Sequence, residues 1–293
     1  MGIDLHIHSN ASDGTLTPAQ IVETAKRLGL GAVAITDHDT TEGSRVALPL
    51  ARSSAVSLLS GVEISSAPPP SVRCKGSFHI LGYGIDLDSR DLNQTLARLQ
   101  EARKNRNPAI VECLNRLGFD ITMDEIMDVV GSGQAGRPHI AQVMVIKGFV
   151  RTIDEAFERF LARGKPAYVD KYRISCREAI ELIRGAGGIA VLAHPYLLSL
   201  KDPPAVEQLV AALKKMGLQG LEVYYPEHPP QATVFYEHLA KTHHLLKTGG
   251  TDFHGAIKPE IQMGTGAGGF CVPYVLYQKL IAALGRVGPG CCF

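Results

Sequence analysis

Short apolar segments that end in histidine or a carboxylate recur along most of this 293-residue chain. The first, IDLHI, is followed by TLTPAQIVETAKRLGL, in which Thr17 caps a helix, Pro18 lies in its first turn and Gln20 completes a capping box. A second apolar segment, GAVAIT, comes next. Such alternation of strand and helix predicts an α/β fold with a mainly parallel sheet. Five further segments are predicted strands: SLLSGVEIS, FHILGYGI, GIAVLAHP, GLEVYYP and HLLKTGG.

The alternation stops between about residue 87 and residue 170, where helical patterns follow one another. A block of this length is too long for a loop and must fold on its own. We therefore predict a barrel formed by residues 1–86 and 171–293, and a helical insertion, 87–170, over the mouth of the barrel. EARKNR in the first pattern is interpreted as a solvated helix face, although Arg103 and Arg106 could extend a basic rim. The helical patterns are LNQTLARLQEARKNR, AIVECLNRLG, MDEIMDVV, PHIAQVMVIKG and IDEAFERFLARG.

The composition excludes several classes of partner. A net charge of +1 gives no general attraction to nucleic acid or to an anionic membrane, so recognition of phosphate must be local. No apolar run reaches the ~20 residues that span a bilayer, and no signal peptide precedes the first strand. The six cysteines form no C-x-x-C pair, and Cys291 and Cys292 are expected in an exposed tail. We predict a reduced, cytoplasmic protein with no membrane partner.

Imidazole and carboxylate side chains gather at the predicted strand ends. In barrel enzymes the C-terminal ends of the strands carry the active site, and strand residues two apart, such as His6 and His8, share one face. Imidazole and carboxylate without thiolate suit Mn, Zn or Fe, and a set this large exceeds one tetrahedral site. Without cations, such a cluster would be costly to bury. The predicted ligands are His6, His8, Asp13, His38, Glu63, His79, His194, Asp252 and His254.

Each of these residues has a plain explanation when it is taken alone. A single buried histidine is usually a hydrogen-bonded core residue, Asp13 in SDGT suits a turn, and Glu63 could be a charge at a strand end. The set is different, because six of the eleven histidines lie at predicted strand ends, two of them in H-x-H and one in D-x-H. Asp37 and Asp39 flank His38 and are interpreted as groups that support the ligands or cap a helix.

The motifs DLHIHSNASDG, AITDHDT, GVEIS, FHILGYG, VLAHP and GGTDFH resemble, in order and in spacing, those of the polymerase and histidinol phosphatase (PHP) family. The resemblance covers nearly the whole chain and implies a distorted seven-stranded (β/α)7 barrel, related to the TIM barrel, with a helical insertion over the active-site mouth. RPHIAQVM followed by GKPAYV resembles the subgroup of 3′,5′-nucleoside bisphosphate phosphatases related to RNase AM.

The family pattern, carried over by position, implies three divalent metal ions per chain, with Mn expected and Zn or Fe as alternatives. Every ligand position holds a residue of the expected type. The first ion would be held by His6, His8, Glu63 and Asp252, the second by Glu63, His79 and His194, and the third by Asp13, His38 and His254.

Such a centre suits hydrolysis of a phosphate ester. Metal ions about 3.5–4 Å apart support in-line attack, because water between two cations loses a proton near neutral pH. The cations also neutralise charge in the transition state, and an imidazole nearby would assist the departing oxygen. Neither a G-x-S-x-G elbow nor a P-loop is present, and GTGAGG at 264–269 lacks the Lys-Ser/Thr of the latter. The residues expected to act in catalysis are Asp13, His38, His194 and His254.

Recognition of a phosphorylated substrate needs cations beyond the metals. Arg137 and His139 in GRPHI, and Lys165 in GKPAYV, could reach over the barrel mouth. Each could instead be a solvated surface group, and Pro138 could open a helix. The resemblance favours Arg137, His139 and Lys165 as substrate contacts. His228, after the sixth strand, is either a loop residue or a further substrate contact.

The subgroup resemblance implies hydrolysis of the 3′-phosphate of adenosine 3′,5′-bisphosphate, to AMP and phosphate, by a metal-bound hydroxide. Three alternatives stay open: trimming of short RNA from its 5′ end, histidinol-phosphate phosphatase, and an inactive metal-binding PHP module. The near-neutral charge favours a small phosphorylated nucleotide or a short oligonucleotide over a long RNA track. The physiological metal and the oligomeric state are left open.

Overall fold

The computed structural model describes residues 1–51, 54–74, 76–131, 133–200 and 202–285. In this part of the chain nine strands form one sheet, in the order β8-β7-β6-β4-β3-β2-β1-β9, with β5 beside β3. The strands are β1 (Gly2–Ile7), β2 (Ala32–Ile35), β3 (Ser57–Ala67), β4 (Phe78–Tyr83), β5 (Ile174–Ser175), β6 (Ile189–Leu192), β7 (Gly220–Tyr224), β8 (Leu246–Gly249) and β9 (Val272–Pro273).

The eight strands of this path curl into a nearly closed barrel. A parallel bridge between Ile7 and Phe253 joins the end of β1 to the segment that follows β8, and the His8 backbone N–H donates to the Phe253 carbonyl at 2.9 Å. The predicted α/β class is confirmed. Each predicted strand segment contains a strand, whereas the two-residue strands β5 and β9 were not predicted.

The direction of β4 departs from the expected parallel order. β4 pairs antiparallel with both β3 and β6, while β1–β2, β2–β3, β6–β7 and β7–β8 are parallel. His79 therefore lies near the start of its strand, opposite Ser65 of β3, rather than at a C-terminal strand end. Because β4 is reversed, its first residues lie beside the C-terminal half of β3.

Ten α-helices surround or cover the barrel in the described part of the chain. The cap predicted for the first is confirmed, since the Gln20 N–H donates to Thr17 Oγ1 at 3.2 Å and the Thr17 N–H donates to Gln20 Oε1 at 2.8 Å. The helices are α1 (Pro18–Arg27), α2 (Glu42–Ala51), α3 (Arg90–Arg116), α4 (Met123–Val130), α5 (Arg137–Ile146), α6 (Ile153–Ala156), α7 (Cys176–Gly185), α8 (Pro203–Lys215), α9 (Pro230–Thr242) and α10 (Tyr274–Leu284), and a π-helical turn (Phe157–Leu161) continues α6.

The block between β4 and β5 holds α3 to α6 and an apolar cluster of its own, formed by Ile110, Leu114, Ile140, Met144 and neighbours. We keep the division into a barrel and a helical insertion as a proposal, supported by this separate cluster. The prediction of two helices over 92–118 was wrong. α3 is a single helix that continues through Pro108, because its apolar stripe packs on both sides of the proline and outweighs the missing N–H.

The interpretation of EARKNR as a solvated face holds for Glu101, Lys104 and Asn105, which are exposed, but it was wrong for the two arginines. The exposed fractions of Arg103 and Arg106 are only 7% and 5%. Arg103 lies against the barrel, where its Nη2 donates to Asp39 Oδ2 at 2.9 Å.

No helix in the described ranges is both long and apolar enough to cross a membrane. The predicted Cys291–Cys292 tail lies outside the described residues.

Candidate metal centre

Three overlapping groups of ligand atoms lie at one end of the barrel. Within each group the possible ligand atoms lie within 4.8 Å of one another. His8, His38 and Glu63 each belong to two groups, so the three groups form one continuous cluster. The groups are His6, His8, Glu63 and Asp252; His8, Asp13, His38 and His254; and His38, Glu63 and His79.

Glu63 lies at the centre of this cluster and is almost fully buried. Its Oε1 is 2.8 Å from His79 Nδ1 and 3.1 Å from His194 Nε2. Its Oε2 is 2.8 Å from His38 Nδ1 and 3.3 Å from His8 Nε2. One carboxylate therefore faces imidazoles from β4, from the segments after β2 and β6, and from the segment after β1.

Two aspartates complete the cluster. Asp252 Oδ1 lies 3.0 Å from His8 Nε2 and 3.3 Å from His6 Nε2. Asp13 Oδ1 lies 3.4 Å from His254 Nε2, and Asp13 is 3% exposed although it belongs to a turn. The structure thus brings together all nine side chains that the sequence analysis proposed as metal ligands. Their roles as ligands stay predictions.

Hydrogen bonds hold three of the imidazoles with Nε2 directed into the cluster. His6 Nδ1 bonds Glu222 Oε1 at 2.9 Å, and His254 Nδ1 bonds the Asp252 carbonyl at 2.7 Å. His8 Nδ1 lies 3.4 Å from Ser12 Oγ. Carboxylate and carbonyl oxygens only accept, so His6 and His254 carry their protons on Nδ1 and keep the Nε2 lone pair.

The cluster fits divalent cations on the chemistry of its donors. Several buried atoms in it have no hydrogen-bond partner, and a buried polar atom in this state costs about 1–3 kcal/mol. A cation among them would accept all these lone pairs at once, and imidazole with carboxylate is a donor set for Mn, Zn or Fe. The unpartnered atoms are His6 Nε2, His8 Nε2, Asp13 Oδ1, His38 Nδ1 and Glu63 Oε2.

The pKa shifts in the cluster also indicate that its carboxylates stabilise positive charge. Burial alone would lower the pKa of His8, but the nearby Asp252 and Glu63 raise it to about 10. Burial alone would raise the pKa of Glu63, yet His79 and His38 hold it well below its ordinary value. The carboxylates therefore stabilise whatever positive charge lies between them, whether a proton or a cation.

Backbone strain is concentrated at the cluster. Asp39, His194 and Asp252 have φ values of 56°, 24° and 54°, in the left-handed region that residues with a Cβ rarely adopt. Each such conformation costs about 1–3 kcal/mol and persists only where the surroundings hold it. His194 is held by its backbone N–H, which donates to Glu222 Oε2 at 2.7 Å.

The carboxylates next to the cluster hold its loops. Asp37 accepts from the Ser9 N–H at 2.7 Å and from Ser12 Oγ at 2.6 Å, which fixes the turn that carries Asp13. Asp4 accepts from Thr251 Oγ1 at 2.6 Å and so supports the segment that carries Asp252. Sequence reasoning missed Glu222. The available signal was a carboxylate within the apolar strand GLEVYY. Burial of a charged group there costs free energy, so its presence indicates a functional role.

A cleft of about 940 Å³ opens above the cluster. One side of the cleft is basic, and the rest of its lining is mixed, with apolar residues such as Ile146, Ile153 and Ile257 and the carboxylates Asp154, Glu227 and Glu260. The basic side is formed by Arg103, Arg106, Arg137, Lys171 and Arg173.

The positive charges of the basic side are only partly compensated. Asp39 Oδ2 accepts from Arg103 Nη2 and from Lys171 Nζ, each at 2.9 Å. Arg106 has a buried Nε without a partner. Burial, and next Arg103 and Arg137, lower the pKa of Arg106 to about 9. Burial likewise lowers the pKa of Lys171 to about 7. This side of the cleft is therefore built to receive an anion.

The four predicted substrate residues lie in different surroundings. Arg137 lines the cleft, donates from Nη1 to the Leu161 carbonyl at 2.9 Å and is half-buried. His139 is buried and accepts the Gly136 N–H at 3.1 Å, and His228 is buried with Nδ1 2.9 Å from the Val223 carbonyl. Lys165 is exposed. Of these four, the structure brings only Arg137 to the lining of the cleft.

Sequence reasoning missed Lys171 and Arg173, because the segment before β5 has no pattern that reveals which way its side chains point.

Clustered imidazoles and carboxylates at a barrel mouth, beside a basic cleft, define a metal-dependent hydrolase of phosphate esters. The comparison with known proteins agrees: residues 4–184 match the PHP domain, and the chain belongs to the PHP family of metal-dependent phosphoesterases.

Relatives in this family carry two different names. The chain is 35% identical over 269 residues to the 5′-3′ exoribonuclease Rnm of Salmonella typhimurium, covering 89% of this chain and 87% of the relative. It is 32% identical over 253 residues to the 3′,5′-nucleoside bisphosphate phosphatase of Chromobacterium violaceum, covering 86% and 87%. A crystal structure from Bifidobacterium adolescentis, named provisionally a metal-dependent phosphoesterase, matches with a TM-score of 0.84 at 33% identity, over 96% of both chains.

Proposed function

We propose that this phosphoesterase removes the 3′-phosphate from nucleoside 3′,5′-bisphosphates and converts adenosine 3′,5′-bisphosphate to AMP and phosphate. The observation that carries the proposal is the pairing of an imidazole and carboxylate cluster with a separate basic cluster in one cleft. Glu63 belongs to the first, and Ser65, which contacts Arg103, lies beside the second. Two residues along a strand span about 7 Å, which is comparable to the distance between the two phosphates of one nucleotide.

The basic cluster is the feature that favours a substrate with two phosphates. Arg106 and Arg137 are guanidinium groups without a carboxylate partner among the described residues, and Lys171 shares Asp39 with Arg103. A second phosphate would supply the missing negative charge, and the planar guanidinium fork binds phosphate oxygens in pairs. A substrate with a single phosphate, such as histidinol phosphate, would leave these charges uncompensated.

For the reaction we propose three divalent ions, with Mn as the expected metal, held by the nine residues of the cluster. When bound, such ions polarise the phosphate and lower the pKa of water. Among the residues expected to act in catalysis, His254 carries its proton on Nδ1, held by the Asp252 carbonyl, and presents Nε2 to Asp13. His38 and His194 face the two oxygens of Glu63.

Asp252 is oriented by two hydrogen-bond donors. Tyr225 Oη donates to Asp252 Oδ2 at 2.9 Å, and Lys258 Nζ donates to the same oxygen at 3.1 Å. The other oxygen, Oδ1, is thereby directed at His6 and His8. Fixed groups of this kind lower the reorganisation needed when charge builds up on the reacting phosphate.

A second candidate function is the removal of nucleotides from the 5′ end of short RNA. The relative in Salmonella typhimurium that is named an exoribonuclease favours it. In such a substrate the first nucleotide also carries a 5′-phosphate and a 3′-phosphate, the latter esterified to the next nucleotide. The same two clusters would therefore serve both reactions. The membership of the chain in a family of phosphoesterases argues against the inactive module.

Release of phosphate or nucleotide, measured with Mn present, tests these proposals. We expect adenosine 3′,5′-bisphosphate to have a higher kcat/KM than histidinol phosphate or 3′-AMP. A 5′-phosphorylated tetraribonucleotide is the comparison for the second candidate. Faster turnover of 3′-AMP than of the bisphosphate would overturn the proposed role of the basic cluster.

A further inference from the structure

A second cavity, of about 460 Å³, adjoins the cleft on its basic side. We call it the outer cavity. The two spaces share part of their lining, so they communicate. The residues that line both are Gly76, Ser77, Phe78, Arg137, Phe157, Lys171 and Arg173, and those on the outer cavity alone include Ser66, Ala67, Cys74, Arg163, Tyr168 and Asp170.

The order of residues along β3 sets the direction from the metal cluster to the outer cavity. Glu63 lies in the cluster, Ser65 lines the cleft beside Arg103, and Ser66 and Ala67 line the outer cavity. Four residues of strand from Glu63 to Ala67 span about 13 Å. The outer cavity therefore lies on the far side of the basic cluster from the metal cluster.

The lining of the outer cavity is basic. Arg137, Arg163, Lys171 and Arg173 line it, and Asp170 is the one acidic residue among the described lining residues. Asp170 is already used, because it accepts from Arg173 and from Tyr168 Oη, the latter at 3.0 Å. This excess of positive charge, half-buried at Arg137 and Arg173 and exposed at Arg163, fits an oxyanion rather than a sugar or an apolar group.

Arg137 joins the two spaces. Its guanidinium carbon lies 5.4 Å from the Phe157 ring centre and 5.7 Å from that of Tyr168, and its Nη1 is held by the Leu161 carbonyl. Aromatic and backbone contacts fix the guanidinium in the shared wall, from which it can contact one phosphate on each side.

We propose that the outer cavity binds a second oxyanion group, phosphoryl or sulfuryl, that is joined to the 5′-phosphate of the substrate. This inference rests on the proposed function, in which the 3′-phosphate lies at the metal cluster and the 5′-phosphate at the basic cluster. The enzyme then accepts 3′-phosphonucleotides with a 5′-diphosphate or a 5′-phosphosulfate end. Water forms the new bond to the 3′ phosphorus, the bond from phosphorus to the 3′ oxygen breaks, that oxygen takes a proton, and the 5′ anhydride stays intact.

The test compares adenosine 3′,5′-bisphosphate with adenosine 3′-phosphate 5′-diphosphate and adenosine 3′-phosphate 5′-phosphosulfate. We expect the wild-type enzyme to release the 3′-phosphate from the two extended nucleotides with a kcat/KM at least equal to that for the bisphosphate. Arg163→Ala should lower kcat/KM for the extended nucleotides about tenfold and leave the bisphosphate unchanged. Arg163 is exposed and lies on the outer cavity alone, so the substitution spares the fold.

The matched control is Arg159→Ala, because Arg159 lies in the π-helical turn that ends shortly before Arg163, bonds Glu155 and lines neither space. It should leave all three substrates at wild-type rates. The two extended nucleotides distinguish the two possible oxyanions. If Arg163→Ala impairs hydrolysis of the diphosphate alone, the outer cavity binds a phosphoryl group. If it impairs hydrolysis of the phosphosulfate alone, the cavity binds a sulfuryl group. Wild-type discrimination of tenfold or more against both extended nucleotides, or equal effects of Arg163→Ala on all three, would overturn the inference.

Binding measured without turnover separates this inference from the proposed function. Calorimetric titration with AMP and ADP should show tighter binding of ADP, and Arg163→Ala should abolish the difference. If no 3′-phosphate is released but this difference is present, the proposed function fails and the outer cavity still binds the second oxyanion. If AMP and ADP bind equally to the wild type, the inference fails whatever the activity.

Discussion

Glu222 Oε1 lies 2.9 Å from Nδ1 of His6, and both side chains are completely buried. A carboxylate can only accept, so this contact places the imidazole proton on Nδ1 and leaves Nε2 for the metal cluster. The other oxygen of Glu222 accepts the backbone N–H of His194, which has a strained φ of 24°. One side chain on β7 thereby positions proposed ligands that come from β1 and from the segment after β6.

Glu222→Gln should weaken metal binding without unfolding the protein. The amide presents its N–H2 group either to the His194 N–H, which then loses its acceptor, or to His6 Nδ1, which must then accept, so that the imidazole proton moves to Nε2 and blocks the ligand atom. Loss of such a supporting group typically costs 10–100-fold in metal affinity or activity. We expect a lower Mn content after dialysis, measured by elemental analysis, and partial recovery of phosphate release in excess Mn.

Glu237→Gln is the matched control, because Glu237 is a partly exposed glutamate that bonds Lys247 and Tyr224 away from the cluster. It should retain the metal content of the wild type. Equal metal content and equal Mn dependence in Glu222→Gln and in the wild type would show that Glu222 does not position the ligands.

Asp13→Asn should remove the third ion and nearly abolish turnover. Asp13 Oδ1 is buried and unpartnered, 3.4 Å from His254 Nε2, and an amide oxygen is a much weaker ligand than a carboxylate. Loss of a ligand should exceed the loss caused by a supporting group, so we expect kcat to fall more than about 100-fold. The measurement is phosphate release together with the number of bound ions per chain.

The control for this substitution is Asp88→Asn, at an exposed aspartate that pairs with Arg45. Both variants should keep the circular dichroism spectrum of the wild type, because asparagine is nearly the same size as aspartate. Wild-type turnover in Asp13→Asn, or an unchanged number of bound ions, would contradict the role of Asp13 in a third site.

Arg137→Ala should raise the KM for adenosine 3′,5′-bisphosphate about tenfold or more and change the KM for p-nitrophenyl phosphate little. The first substrate has a second phosphate for the basic cluster and the second has none, and a hydrogen bond to a charged group contributes about 1.5–3 kcal/mol. Arg159→Ala removes a guanidinium stacked on Phe160 outside the cleft and should change neither value. Equal effects of Arg137→Ala on both substrates would exclude Arg137 from recognition of the second phosphate.

The sequence predicted the features that are specified by residues close together in the chain, and it did not predict those that depend on tertiary contacts. The cap at Thr17 and the strand that carries His6 and ends just before His8 are specified by residues close in the chain, and they were found. Lys165 and Lys171 could not be told apart, because only the path of the chain before β5 decides that Lys171 turns inward to Asp39 and Lys165 outward. Tertiary contacts of this kind leave no local pattern.

The burial of Arg103 and Arg106 had a signal that was misread. The buried positions of α3 recur at helical spacing of three and four, and the two arginines continue the stripe of leucines. Their charge suggested solvent, but the spacing indicated the inner face. In a stripe of this kind, a cation in register with apolar residues indicates a site for an anion. The stripe is Leu92, Leu96, Leu99, Arg103, Arg106, Ile110 and Leu114.

His228 should make the folded protein sensitive to acid. Burial lowers the pKa of His228 to about 4 from its ordinary value of 6.5. Between these two pH values the unfolded chain binds a proton that the folded protein does not bind, so stability rises with pH and is lost as the pH falls. The contribution lost between about pH 7 and about pH 4.5 is about 2 kcal/mol.

Urea unfolding of the metal-free protein at these two pH values measures this loss, since chelation removes the separate effect of metal release. His228→Phe should show a pH-dependent loss smaller than the wild type by about 2 kcal/mol, because phenylalanine has no proton to gain. Its absolute stability should also be lower at both pH values, since the Val223 carbonyl loses its partner. His238→Phe, at an exposed histidine of α9, should keep the pH dependence of the wild type. The same pH dependence in His228→Phe and in the wild type would show that His228 is not the group that titrates.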